Sequence, residues 1–416
     1  MPDPAILITN IGELVTMLGL GPLRRPSLAD LGLRHGAAVW VEAGRVRAVG
    51  TSVEMDREVP AAIPRWNAKG RLVTPGLIDS HTHMAVAGER SEDWELRARG
   101  ATYAQMAERG GGIRASMRAT RACVFSDLVA RTGRHLDWAR QCGTTTIEVK
   151  SGYGLELETE LHQLRAARRA AEARGMTLVS TFLGAHTIPP ESGGREEYLQ
   201  HVLSEMLPRV HGEAQFADMF VEDGYFTPEC ARRYASAVHA LGLNLRLHVD
   251  QMRDGGGAAL AVELGAVAAD HLEHTGEAGI QALGRSSTTA GLLPASVLGL
   301  RSPRYPDGRA LVDAGAVVVI ATDFNPGSSP TPSLPLCMRL AVDFCGLTVT
   351  ESWAGVTRNA AASLDFADRG ALVPGAIADL VVWDLESHRE VPYWMAAPAV
   401  RAVMQGGAWA DLAPSE

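Results

Sequence analysis

The sequence predicts an α/β fold: a (β/α)8 TIM-like barrel with a small β-sandwich formed by both chain ends. Three observations predict it. The middle of the chain alternates short apolar runs with helical stretches, both ends carry strand-like segments, and histidines and aspartates recur where the central apolar runs stop.

The ends come first. Ala5–Thr9 is a short apolar run, and Ala37–Gly50 reads as a hairpin turning near Glu42-Ala43-Gly44. At the far end Gly370-Ala371-Leu372-Val373-Pro374-Gly375 leads into the apolar run Ala378–Trp383, and Ala399–Met404 follows. The expected organisation is a small domain of residues 1–68 with 365–416, and a barrel of residues 69–364. A chain of 416 residues with 46% hydrophobic content is long enough to bury both.

Between them, eight runs read as strands: Leu72–Asp79, Thr144–Val149, Thr177–Leu183, Phe216–Val221, Asn244–Val249, Ala266–His271, Thr288–Leu293 and Ala316–Thr322. Helical patterns separate them at Glu158–Ala173, Thr227–Leu241, Gly256–Leu264 and Asp307–Ala314. Strands alternating with helices make a parallel sheet, and eight repeats close it into a barrel.

Composition narrows the function. The net charge of −9, with no Lys or Arg block, argues against nucleic acid and anionic membranes as partners. No apolar run is long enough to span a bilayer, and Met1–Leu20 lacks the pattern of a secretory signal. The five cysteines form no C-x-x-C pair and are expected to be buried, reduced thiols, so the expected compartment is the cytoplasm.

In a parallel barrel, chemistry sits at the carboxyl ends of the strands. The first strand runs into His81-Thr82-His83, the fifth ends in His248, the sixth in Asp270-His271, and the eighth in Asp323. Histidines two apart on an extended chain point the same way, so His81 and His83 can reach one ion. With His248 and Asp323 they form an N3O set suited to one divalent ion, zinc or iron, with room for a water. His35, His135, His162, His201, His211, His239 and His388 fall in helices or loops and read as solvated or packing groups.

These residues also carry a resemblance. Pro75-Gly76-Leu77-Ile78-Asp79-Ser80-His81-Thr82-His83 resembles the first-strand motif of the amidohydrolase superfamily. Glu95-Leu96-Arg97, Gly110-Gly111-Gly112-Ile113, Glu148–Gly154, Thr181–His186, Ala269–Glu273 and Ala321–Gly327 are similar to the imidazolonepropionases of histidine degradation. The resemblance runs through nearly the whole chain; Glu148–Gly154 and Thr322–Gly327 are its specific pieces.

The resemblance implies hydrolysis of the cyclic C–N bond of 4-imidazolone-5-propanoate to N-formimidoyl-L-glutamate by a metal-activated water. It implies His81, His83, His248 and Asp323 as ligands, Asp323 also as the group that carries the proton, and a homodimer. His271 either polarises the ring carbonyl or orients a ligand through a carboxylate. Arg90 matches the arginine that holds the anionic arm of the substrate, although by residue type it could equally pair with Glu92. Tyr103, Tyr153 and His186 match substrate-contacting positions, and Gln251, Asn325, Gly327 and Ser328 are expected around the ring. Lys150 follows the second strand, the wrong place for a metal-bridging carbamate, and reads as an ion-pair partner near Glu148.

Two departures stand out. Gln251 occupies a position that is Glu in some members, and Ala295-Ser296-Val297-Leu298 replaces residues that are often aromatic. The alternatives are an aminohydrolase releasing ammonia from a heterocycle, and a scaffold that has lost its metal. Every ligand is present, which counts against the second.

Overall fold

The computed structural model describes residues 5–100 and 111–412. Five strands lead: β1 (Ala5–Leu14), β2 (Arg34–Glu42), β3 (Arg45–Thr51), β4 (Arg65–Asn67) and β5 (Leu72–Pro75). The central strands follow as β6 (Leu77–Asp79), β7 (Thr144–Lys150), β8 (Thr177–Ala185), β9 (Phe216–Val221), β10 (Asn244–Val249), β11 (Ala268–His271), β12 (Thr289–Leu292) and β13 (Val317–Ile320). The last are β14 (Leu380–Trp383), β15 (Val400–Gln405) and β16 (Ala408–Trp409).

The central eight are parallel and pair in chain order from β6 to β13. The two edges then meet. Thr82 and Phe324 form a parallel bridge, and the Asp323 amide donates to the His81 carbonyl at 3.0 Å. The segments that carry His81 and Asp323 are therefore neighbours. Asp79 reinforces the seam, taking the Thr322 amide at 3.1 Å and its hydroxyl at 2.6 Å.

Strands from both chain ends form a separate sheet in the order β16-β15-β14-β5-β1-β2-β3, with β4 on β1. It has its own apolar cluster, including Ile8, Ile11, Val39, Val41, Val73, Leu380 and Val382. The expected hairpin is β2–β3, turning through Ala43 and Gly44 at φ 51° and 76°. Positive φ at both positions is what a two-residue turn between twisted strands requires.

One expected strand is two. Leu72–Asp79 divides at Gly76: β5 joins the terminal sheet between β1 and β14, while β6 opens the barrel against β7. Both halves are apolar and buried, so hydropathy does not mark the break. Space marks it, because a Cβ on Gly76 would lie 2.2 Å from the Thr145 hydroxyl.

Helices Leu157–Glu172, Pro228–Ala240, Gly257–Glu263 and Gly308–Ala314 lie where the periodicity puts them. Two are capped by side chains: Thr227 accepts from Cys230 N–H at 3.3 Å, and Asp307 from Ala310 N–H at 2.9 Å. All five cysteines are free thiols; Cys230, Cys337 and Cys345 are buried, while Cys123 and Cys142 are half-buried. His135 and His388 are not solvated: both are buried, and they bond to the Met84 carbonyl at 2.9 Å and to Glu13 at 2.8 Å. Among the described residues, no helix is long and apolar enough to cross a membrane.

Gly76→Ala forces the Thr145 side chain or the β5–β6 junction to shift. The expected loss is about 1–3 kcal/mol of stability, read by urea unfolding.

Candidate metal centre and its cavity

His81, His83, His248, His271 and Asp323 converge at the carboxyl rim of the barrel, each no more than 3% exposed. Ligand-capable atoms of His81, His83 and Asp323 lie within 4.8 Å of one another, as do those of His81, His248 and His271. Asp323 Oδ1 is 3.3 Å from His83 Nε2 and 3.7 Å from His81 Nε2.

Backbone geometry at the strand ends aims these groups. Asp250, His271 and Asp323 all have positive φ, at 54°, 85° and 51°. Each turns the chain sharply as it leaves the strand, a conformation costing about 1–3 kcal/mol and concentrated at functional sites.

Beneath the rim, carboxylates set the tautomers. His81 Nδ1 donates to Asp270 Oδ2 at 2.8 Å, and His248 Nδ1 donates to Asp218 Oδ1 at 3.0 Å. The opposite nitrogens, His81 Nε2 and His248 Nε2, are fully buried with no hydrogen-bond partner. Lone pairs left bare inside a protein are costly unless a cation takes them. Burial, reinforced by the Lys150 charge, depresses the imidazoles: His83 falls to about 3, and His81 goes well below its usual value. His248 falls to about 4 because burial outweighs the Asp218 carboxylate. Neutral imidazoles with free, converging Nε2 atoms are the state a metal needs. The donor set fits a divalent ion.

His271 differs. Burial alone would depress it, but Glu273 at 3.2 Å, with Asp323 and Asp270 nearby, outweighs that and raises its pKa to about 9. It is the cationic imidazole of the rim.

The charges below are themselves paired. Lys150 Nζ bridges Glu148 Oε1 at 2.7 Å and Asp218 Oδ2 at 2.8 Å, the neighbourhood expected for it. Arg246 donates to Asp270 Oδ2 and to the Ser80 carbonyl, both at 3.1 Å.

Above the rim opens a cavity of about 1070 Å³. His83, His248, His271 and Asp323 line it together with Arg90, Tyr153, His186, Gln251, Asn325, Gly327 and Ser328. Tyr103 lies outside the described residues. His186 stacks on His83 at 5.3 Å between ring centres, and its Nδ1 donates to the Gly152 carbonyl at 2.9 Å. Tyr153 meets both rings edge-on. Arg90 pairs with Asp93 at 2.9 Å and not with Glu92. A Cβ on Gly327 would lie 2.4 Å from Arg90 Nη1, so the glycine is what lets the guanidinium cross to that wall.

Asn325 is spent on its own loop. Its amide donates to the Asp323 carbonyl at 2.7 Å and accepts from the Gly327 and Ser328 amides at 2.8 Å each. Of Ala295-Ser296-Val297-Leu298, only Leu298 reaches the cavity; the other three are buried.

Sequence reasoning passed over Asp218, Glu273 and the role of Asp270. Asp218 carried a signal: it is an acid in mid-strand within the apolar run Phe216–Val221. A carboxylate there must meet a cation or a histidine.

Comparisons with known proteins agree with this geometry. The model of the amidohydrolase family matches residues 72–410. The imidazolonepropionase of Rubrobacter xylanophilus is 45% identical over 98% of this chain and 99% of that protein. The chain belongs to the amidohydrolase family, among its imidazolonepropionases. The imidazolonepropionase of Geobacillus kaustophilus is 41% identical over 97% of both chains. Among solved structures, an adenosine deaminase from Xanthomonas campestris with bound zinc superposes with a TM-score of 0.70 at 17% identity, covering 98% of this chain and 93% of its own. E. coli guanine deaminase also gives 0.70, at 14% identity and 97% and 98% coverage. These two share the fold. As a member of the family, the chain is a hydrolase that depends on a divalent metal ion.

Asp270→Ala removes the group that orients His81. Metal affinity is expected to fall about 10–100-fold, measured by competition with a chelator.

Proposed function

We propose that this chain hydrolyses the ring C–N bond of 4-imidazolone-5-propanoate to give N-formimidoyl-L-glutamate, the activity for which its relatives are named. The observation that carries the reading is the pairing, in one cavity, of a His3Asp cluster with the Arg90 guanidinium. The first suits attack on a carbonyl; the second suits an anionic arm.

His81, His83, His248 and Asp323 would hold one ion, and their nitrogen and oxygen donors suit zinc and iron alike. Such an ion would supply Lewis acidity of the kind that lowers the pKa of water to about 7. Asp323 accepts a proton from the attacking water and returns it to the departing ring nitrogen. His271, protonated beside Glu273, donates a hydrogen bond to the ring carbonyl oxygen as negative charge develops there. Arg90 grips the propanoate through its fork, held at the correct angle by Asp93. Tyr153 and His186 wall the ring against the cluster, and Gln251 faces it with an amide. Asn325 holds the Gly327–Ser328 loop that leaves room for Arg90.

The test is the ultraviolet band of freshly prepared 4-imidazolone-5-propanoate, followed with and without chelator. Rapid loss of the band that chelator prevents, with N-formimidoyl-glutamate as product, is the expected result. Ammonia release from an intact carbon skeleton would replace this reading with a deaminase.

Asp323→Ala is expected to abolish turnover in protein that still folds; retained metal-dependent turnover would sink the proton-transfer role. Arg90→Ala is expected to raise KM at least tenfold while changing kcat less, read from initial rates with the propanoate substrate.

A further inference from the structure

We infer that Lys150 is the positioning residue that sets the separation of three of the four metal ligands. The inference rests on the ligand assignment proposed above and goes beyond it. His81 and His83 follow β6, while His248 lies on β10, four strands further round the barrel. No ladder hydrogen bond links those strands directly. Lys150, on β7 and fully buried, spans the interior between them.

Each arm of the span is made of short contacts. Toward β10, the ammonium holds Asp218 Oδ2 at 2.8 Å, and the other oxygen of that carboxylate takes His248 Nδ1 at 3.0 Å. Toward β6, the ammonium holds Glu148 Oε1 at 2.7 Å, and Glu148 Oε2 accepts the Thr82 amide at 3.1 Å. Thr82 is the residue between His81 and His83. Its hydroxyl donates to the Glu148 carbonyl at 2.7 Å, and its own carbonyl accepts the Lys150 amide at 2.8 Å. Two buried carboxylates that would repel each other are thus drawn to one point charge, and the ligand segments move with them. A lysine suits this because its compact ammonium donates in several directions from the tip of a thin apolar stem.

A purely electrostatic role makes the opposite prediction. Lys150 is a cation buried beneath a dication, so removing its charge alone would tighten metal binding. Loss of positioning would loosen it. The sign of the change separates the two.

The experiment uses Co2+ as the probe in wild-type protein and in Lys150→Met, a neutral replacement of similar length. It reads the dissociation constant by chelator competition, the cobalt absorption bands, and the melting temperature of metal-free protein. The expected result is a folded variant with Co2+ affinity about 10–100-fold weaker and altered absorption bands. Unchanged or tighter binding with wild-type bands overturns the inference, whatever happens to the melting temperature. Should Lys150→Met fail to fold, Lys150→Gln decides. It removes the charge but keeps a polar tip, and electrostatics alone again predicts tighter binding. About tenfold weaker binding is then expected, and wild-type or tighter affinity overturns the inference. Wild-type protein that takes up no Co2+ would instead defeat the ligand assignment.

Discussion

An imidazole binds a metal only when it is neutral and its lone pair is aimed, and at this rim both conditions come from burial above paired carboxylates. Burial drives His81, His83 and His248 to the neutral form. Asp270 and Asp218 then decide which nitrogen of His81 and His248 keeps the proton. The free nitrogens converge because the strands converge, and the strands are closed at the seam where Asp79 fastens β6 to the Thr322 turn. The chemistry of the rim is a consequence of what lies one layer below it.

That layer sets a constraint on the barrel interior. A fully buried Lys150 and a fully buried Arg246 replace apolar filling that would pack as well. Buried ion pairs seldom add stability over hydrophobic residues of similar volume. Left-handed conformations at Asp250, His271 and Asp323 add local strain. The surrounding apolar strands and helices tolerate both because their own packing is extensive, with Phe182, Leu161 and Tyr234 in one buried cluster and Phe216 in another.

Much of this was legible in the residues, for identifiable reasons. Barrel strands are buried on both faces, so the segment around Val317–Ile320 reads as a continuous apolar run. The rim residues stand out because histidine and aspartate are rare at the ends of such runs. The division at Gly76 was not legible, since β5 and β6 are equally apolar and only the approach of Thr145 separates them. Nor was the closed ring of hydrogen bonds around Asn325, which depends on a loop conformation and not on a residue pattern. The partners of Lys150 were half visible. Glu148 is two residues away on the same strand, while Asp218 is distant in sequence and meets it only once the barrel has closed.

The charges around the site bear on the sign of the ion it can hold. Lys150 and Arg246 face Glu148, Asp218 and Asp270, and Asp323 stands at the rim. His271 and Glu273 compensate each other. Carboxylates outnumber the cations paired with them in a region almost closed to water, where uncompensated negative charge is costly. A cation at the converging Nε2 atoms would offset that excess. Arg90 does not supply the balance, because its guanidinium is paired with Asp93. The cation proposed for the rim and the anionic arm proposed for Arg90 therefore draw on different groups of one cavity.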